Sequence, residues 1–175
     1  MRLDYLTAMS VYWLTTCGGC SVPLYCPHIE ADDGQKVCVA PPPDSHIEFL
    51  PILEEFDRDF SHLYAKKTDI KIVWSNLPRK IGAVGLCFNP LSLPSWIEID
   101  EVSKASSDFE LKNLVYHELG HCRLGLEHSD DPTDIMYPYL DLTTEEEFDR
   151  SLTRMKREAY AKLMLERLGS VPLEE

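Results

Sequence analysis

His117-Glu118-Leu119-Gly120-His121-Cys122-Arg123-Leu124-Gly125-Leu126-Glu127-His128 is the stretch on which the reading of this chain turns. On an α-helix, residues four apart differ by about 40° in direction, so His117 and His121 project from one face. Two neutral imidazoles on one rigid face suit zinc, whose catalytic sites take three protein ligands and keep a fourth position for water. Glu118 lies about 100° round the helix from His117. It can reach a water held there without being a ligand, take its proton and hand that proton to a leaving amine. Val115, Leu119 and Cys122 form the core face, with Leu119 roughly opposite His117. Gly125 is a natural helix stop. His128 follows three residues later as the candidate third ligand, with Glu127, Asp130 and Asp131 as alternatives.

Beyond His128 the chain reads Ser129-Asp130-Asp131-Pro132-Thr133-Asp134-Ile135-Met136-Tyr137-Pro138. With this segment the sequence resembles the metzincin zinc endopeptidases, and within them the matrixin-like (matrix-metalloproteinase-like) group. Gly125-Leu126-Glu127-His128-Ser129, Asp131-Pro132 and Ile135-Met136-Tyr137-Pro138 are similar to that group's third-histidine segment and Met-turn, in order and in spacing. The resemblance implies Zn2+ held by His117, His121 and His128, Glu118 as general base, and Met136 in the turn beneath the metal. It implies that Pro138 and Tyr139 help to wall the pocket for the residue after the scissile bond. It also implies a strand that runs along the cleft and pairs with an extended substrate. Residues 96–100 and 83–88 are the two candidates for it.

The chain departs from the family pattern in its spacing. The family has two residues between the second histidine and the glycine, and this chain has three, Cys122, Arg123 and Leu124. One added residue turns a continuing helix by about 100°. Because Gly-x-x-His is intact, absorption of that residue at the helix terminus is expected. No histidine and aspartate cluster matches the family's structural zinc and calcium sites. His46 and His62 fall in the first helix, where exposure or packing is the expected role. Cys20-Ser21-Val22-Pro23 is only faintly similar to the family's inhibitory cysteine segment.

The surrounding pattern predicts an α+β domain, a short mixed sheet with an active-site helix and a C-terminal helix. Ser45-His46-Ile47-Glu48 has capping-box spacing, and Ile52, Phe56, Phe60 and Leu63 follow as one apolar stripe. Pro51 is expected to start or kink that helix. Ile70-Lys71-Ile72-Val73-Trp74 and Trp96-Ile97-Glu98-Ile99-Asp100 alternate as strands, the second half-buried, and residues 83–88 form a third. Residues 76–80 read as a turn. Ser107-Asp108-Phe109-Glu110 caps the helix that carries His117, and Thr144-Glu145-Glu146-Glu147 caps a last helix ended by Gly169 and Pro172.

The chain has 175 residues, 30 acidic and 17 basic, for a net charge of −13. Such a surface repels phosphates, which argues against nucleic acid and anionic lipid as partners. It leaves a preference for basic or neutral peptides as an expectation. No apolar run reaches the roughly 18–20 residues of a membrane span. Four of the six cysteines, Cys17, Cys20, Cys26 and Cys38, fall in the first 38 residues. A basic start, an apolar stretch over residues 6–14 and Cys17 resemble a bacterial lipoprotein signal, with Cys17 as the lipid-anchored residue. The alternatives are a plain N-terminal segment and a structural zinc cluster of the four cysteines. In an exported protein Cys26 and Cys38 would pair across the polar loop of residues 27–37. The proline run at residues 41–43 is a stiff spacer. We therefore divide the chain into a leader of residues 1–43 and a zinc peptidase domain of residues 44–175.

Cys122 is expected as a packed thiol, with a bond to Cys87 as the alternative in an exported protein. Tyr137 and Tyr139 are expected to pack rather than to donate to an oxyanion. The resulting expectation is a zinc endopeptidase acting on a peptide or protein substrate, extracellular or in the bacterial cell envelope, with the cytoplasm as the other compartment. The rivals are a non-catalytic zinc-binding adhesion or assembly module, and a metallohydrolase of cell-wall or other amides. In the latter, a glutamate of the run Glu145-Glu146-Glu147 would be the third ligand.

Overall fold

The computed structural model describes residues 28–30, 34, 36–38, 42, 44–60, 62–63, 70–78, 82–89, 94–139 and 142–169. Cys17, Cys20 and Cys26, residues 41 and 43 of the spacer, residues 79–80 and Pro172 lie outside them, as do the lipoprotein, zinc-cluster and inhibitory-segment readings. Strands β1 (His28–Glu30) and β2 (Lys36–Cys38) pair antiparallel with His28 opposite Cys38. This pair of strands overlaps the stretch of residues 27–37 expected as a polar loop and extends to Cys38.

The first expected capping box does not form. Helix α1 (Leu50–Phe60) follows a 3-10 turn at Ile47–Phe49, whose first turn takes no side-chain cap. Ser45 and His46 are drawn away by strand β3 (Lys71–Ser75). Ser45 Oγ accepts the Ile72 N–H at 3.1 Å, and His46 Nδ1 accepts the Trp74 N–H at 3.1 Å. The His46 N–H completes the pattern by donating to Ile72 O at 2.9 Å. The outer edge of β3 has backbone groups that need partners, and these side chains supply them. Pro51 sits in the first turn of α1, where its missing N–H costs nothing. Phe56 and Phe60 are buried on its inner face, whereas His62 is exposed.

Strands β4 (Gly85–Phe88) and β5 (Trp96–Asp100) complete a three-stranded sheet of order β3-β5-β4. β3 runs parallel to β5 and β4 antiparallel to it. β5 is the central strand, so Trp96 to Ile99 are all buried and the half-buried expectation is corrected. Ile97 and Ile99 join the main core. On the other face Trp96 stacks on Phe88 at 4.7 Å and donates to Glu98 Oε1 at 3.1 Å. A central strand has no free edge, so of the two candidates for pairing with a substrate only β4 retains one.

Helix α2 (Asp108–Leu124) starts at a complete capping box between Ser107 and Glu110. It is buried on all sides from Asn113 to Gly120, so it is the core rather than a surface helix. Helix α3 (Glu145–Gly169) starts at the predicted Thr144 box, with the Glu147 N–H donating to Thr144 Oγ1 at 3.2 Å. Tyr116 joins the three helices. Its ring meets Phe56 of α1 and Phe148 of α3, each at 5.1 Å, and its hydroxyl donates to Asp59 at 3.1 Å. Large side chains buried this fully each contribute about 1.5–3 kcal/mol. The described residues thus form a small α+β fold, with three α-helices around a short mixed sheet.

Cys122 is not a free thiol. It is joined to Cys87 in a disulfide with a Cα separation of 5.5 Å, which ties α2 to β4. Cys87 sits opposite Ile97 in the sheet, and both strands pack on α2 there, so the two sulfurs meet in the contact.

Candidate metal centre

The three histidines converge. Nε2 of His117 lies 3.1 Å from Nε2 of His121 and 3.2 Å from that of His128, and the third side of the triangle is 3.2 Å. The other ring nitrogens fix the tautomers. Nδ1 of His117 is 2.7 Å from the carbonyl of Ile135, and Nδ1 of His121 is 2.7 Å from that of Leu126. A carbonyl can only accept, so each Nδ1 carries the proton and each neutral ring turns an Nε2 lone pair into the cluster. Lone pairs held so close repel one another, and a cation among them reverses the sign. Nitrogens about 2.0–2.1 Å from a shared tetrahedral zinc stand about 3.3 Å apart, close to the observed triangle. The donor set therefore fits such an ion. No other group of three or more histidine, cysteine or carboxylate side chains among the described residues is placed to hold a metal.

Burial favours neutral rings. It pushes His117 down to about 4, against the opposing bond to Ile135, and it lowers His121 and His128 as well. His117 is buried, His121 is half-buried and His128 is exposed, so the cluster opens toward solvent on the His128 side.

The added residue between His121 and Gly125 is taken up where α2 ends. Gly125 adopts the left-handed conformation, φ 59° and ψ 32°, and its N–H points to both Gly120 O and His121 O. The Leu126 N–H donates to Gly120 O at 3.0 Å. In a standard glycine-terminated helix the outermost of these bonds spans five residues. Here it spans six, so the last turn is widened in the manner of a π-turn. His121 and His128 both still reach the cluster.

Met136 packs beneath the helix. A Cβ on Gly120 would lie 2.5 Å from Met136 Sδ and 2.6 Å from Met155 Cε, so glycine is what lets this turn approach. The turn has its own scaffold. The Met136 N–H donates to Asp134 Oδ1 at 2.9 Å, and the Ile135 N–H donates to Ser151 Oγ of α3 at 2.6 Å. Arg154 bridges Asp131 at 2.6 Å and Asp134 at 3.0 Å.

A family profile described as Matrixin, a peptidase family, matches residues 55–163. The chain belongs to the matrixin family of metallopeptidases. No curated protein and no solved structure matches it.

In this matrixin Glu118, next in the chain to His117, is buried over strand β4. A Cβ on Gly85 would fall 2.6 Å from its Oε1, so glycine at residue 85 lets the strand pass without displacing that side chain. Burial pushes the Glu118 carboxyl up to about 8, against a hydrogen bond from the Cys87 N–H. Tyr137 and Tyr139 meet ring to ring at 5.4 Å, and both Pro138 and Tyr139 are exposed, Tyr139 at 73%. Asp131 is engaged by Thr133 and Arg154, and Glu147 by the cap of α3. Glu127, Asp130 and Asp131 do not join the cluster. Sequence reasoning overlooked Gly85, Asp134, Ser151 and Arg154. An aspartate two residues before Met136 was a readable turn signal, whereas Ser151 and Gly85 carried none.

Proposed function

We propose that this matrixin is a zinc-dependent endopeptidase, with the metal held by His117, His121 and His128 and with Glu118 as general base. The observation that supports it most is the convergence of three Nε2 lone pairs, two of them fixed by Nδ1–H bonds to carbonyls, beside a buried carboxylate that is not part of the cluster. When bound, zinc lowers the pKa of water to about 7 and polarises the scissile carbonyl.

The remaining work falls to the chain. Glu118 takes a proton from the attacking water and returns it to the leaving nitrogen. The Cys87 backbone favours the ionised form of that carboxyl. The free edge of β4 accepts an extended peptide as an added antiparallel strand. Pro138 and Tyr139, exposed past the turn, border the pocket for the residue after the scissile bond. The Cys87–Cys122 disulfide supports an oxidising compartment, outside the cell or in its envelope. We assign residues 44–175 to the peptidase and residues 1–43 to a leader.

The test is to measure zinc per chain and peptide-library cleavage for the wild type and for Glu118→Ala. About one zinc is expected in both, with cleavage reduced by about 10²–10⁴ in the variant. Equal cleavage would sink the role of Glu118. Full zinc affinity in His128→Ala would remove that residue from the ligand set. Products cut only at chain ends would overturn the endopeptidase assignment.

A further inference from the structure

Three hydrogen bonds run in line behind the first histidine. The His117 Nδ1–H donates to the carbonyl of Ile135 at 2.7 Å. The same peptide unit has the Met136 N–H at its other end, and that donates to Asp134 Oδ1 at 2.9 Å. Asp134 is 1% exposed, and its second oxygen is paired with the Arg154 guanidinium at 3.0 Å. A single planar, conjugated amide therefore stands between a buried carboxylate and the ring of His117.

We propose that Asp134 is a positioning residue for His117, acting through the Ile135–Met136 peptide group. It rests on the reading that His117 binds the metal. A negative charge at the N–H end of an amide pushes electron density toward its carbonyl oxygen, and hydrogen bonds in series strengthen one another. The Ile135 carbonyl becomes a better acceptor, the Nδ1–H bond shortens its range of motion, and Nε2 becomes the better donor. Metal-binding histidines are commonly oriented by a carboxylate directly on Nδ1. Here the carboxylate acts from one peptide away.

Neighbouring groups hold the relay rigid. Ser151 accepts the Ile135 N–H at 2.6 Å and donates to Asp134 Oδ1 at 3.2 Å, so α3 fixes the turn on both sides of the conducting amide. Arg154 also reaches Asp131, which receives the Thr133 N–H at 2.9 Å. Ser151 and Thr133 thus belong to the scaffold but not to the line that ends at His117.

The test compares wild type, Asp134→Asn and Ser151→Ala. Zinc affinity is measured by competition with a chromophoric chelator, and stability by thermal unfolding of the metal-free proteins. Asp134→Asn keeps the size and an acceptor oxygen but removes the charge. Zinc binding about 10–100-fold weaker than wild type is expected for it. Ser151→Ala is expected to lower the metal-free midpoint with a smaller loss of affinity. Affinity losses that simply follow the stability losses across both variants would reduce Asp134 to scaffold and overturn the proposal.

A wild-type measurement guards against a variant that does not fold. In an NMR titration with zinc, the Met136 amide proton should move together with the His117 Nδ1 proton, and the Thr133 amide should stay. A stationary Met136 amide would overturn the relay. Wild-type protein that binds no zinc would overturn the metal-centre reading along with it. Wild-type binding with an unchanged Asp134→Asn variant would overturn the relay alone.

Discussion

Two glycines set the distances on which the site depends. Gly120 lets Met136 and Met155 come within a methyl group's reach of the helix backbone. Gly120→Ala overpacks that contact and should destabilise the metal-free protein by about 1–3 kcal/mol, read from denaturant unfolding. Gly85 has a different consequence, since the side chain a new methyl would meet is that of Glu118 rather than two methionines packed in the core. That side chain can swing aside, so Gly85→Ala should fold. A base moved by about 1 Å loses on the order of 10² in rate, so kcat should drop while zinc affinity stays at the wild-type value. A parallel loss of zinc would contradict the separation of Glu118 from the ligand set.

At the scale of elements, the chain carried its helix starts openly where a cap has no competitor. Ser107 and Thr144 form the boxes their spacing announces, because nothing else claims those side chains. The Ser45 box fails because the edge of β3 competes for Ser45 and His46 and wins. His117 and His121 were legible for the same local reason, being set by helical period, whereas His128 lies past the end of α2. Glu118 over Gly85 and Asp134 under His117 were not legible, since both depend on contacts made by tertiary packing. The caps also predict acid behaviour. Hydrogen bonds from Ser107 to Glu110, and from Thr143 and Thr144 to Glu147, hold both carboxyls below the usual range. A depressed folded-state pKa gives stability that is complete above the unfolded value of about 4.3 and is lost as pH falls through the folded value. Thermal midpoints should therefore decline below about pH 4, and Glu110→Gln should flatten that decline. A slope unchanged by Glu110→Gln would exclude the α2 cap as its source. Ser107→Ala should cost about 1 kcal/mol at neutral pH.

Over the whole molecule, α2 is fastened in three directions. The disulfide joins it to β4, the part-buried Arg123–Asp57 pair joins it to α1, and Tyr116 joins it to α1 and α3. Replacing Cys87 and Cys122 together by serine should cost about 2–4 kcal/mol, measured by denaturant midpoint, since the bond closes a loop over a sequence separation of 35. The charge of −13 should act on encounter instead. Cleavage of lysine-rich peptides should slow as salt is added and cleavage of neutral ones should not. Two of these fastenings come from the turn that holds the surplus residue, as Cys122 and Arg123 both leave the helix between His121 and Gly125. A rule written in letters counts that residue as an error of spacing. With the wider turn the Nε2 atoms of His121 and His128 still meet at 3.2 Å, and the surplus becomes two rivets. Sites of this kind are better sought by where their atoms meet than by how many residues separate them.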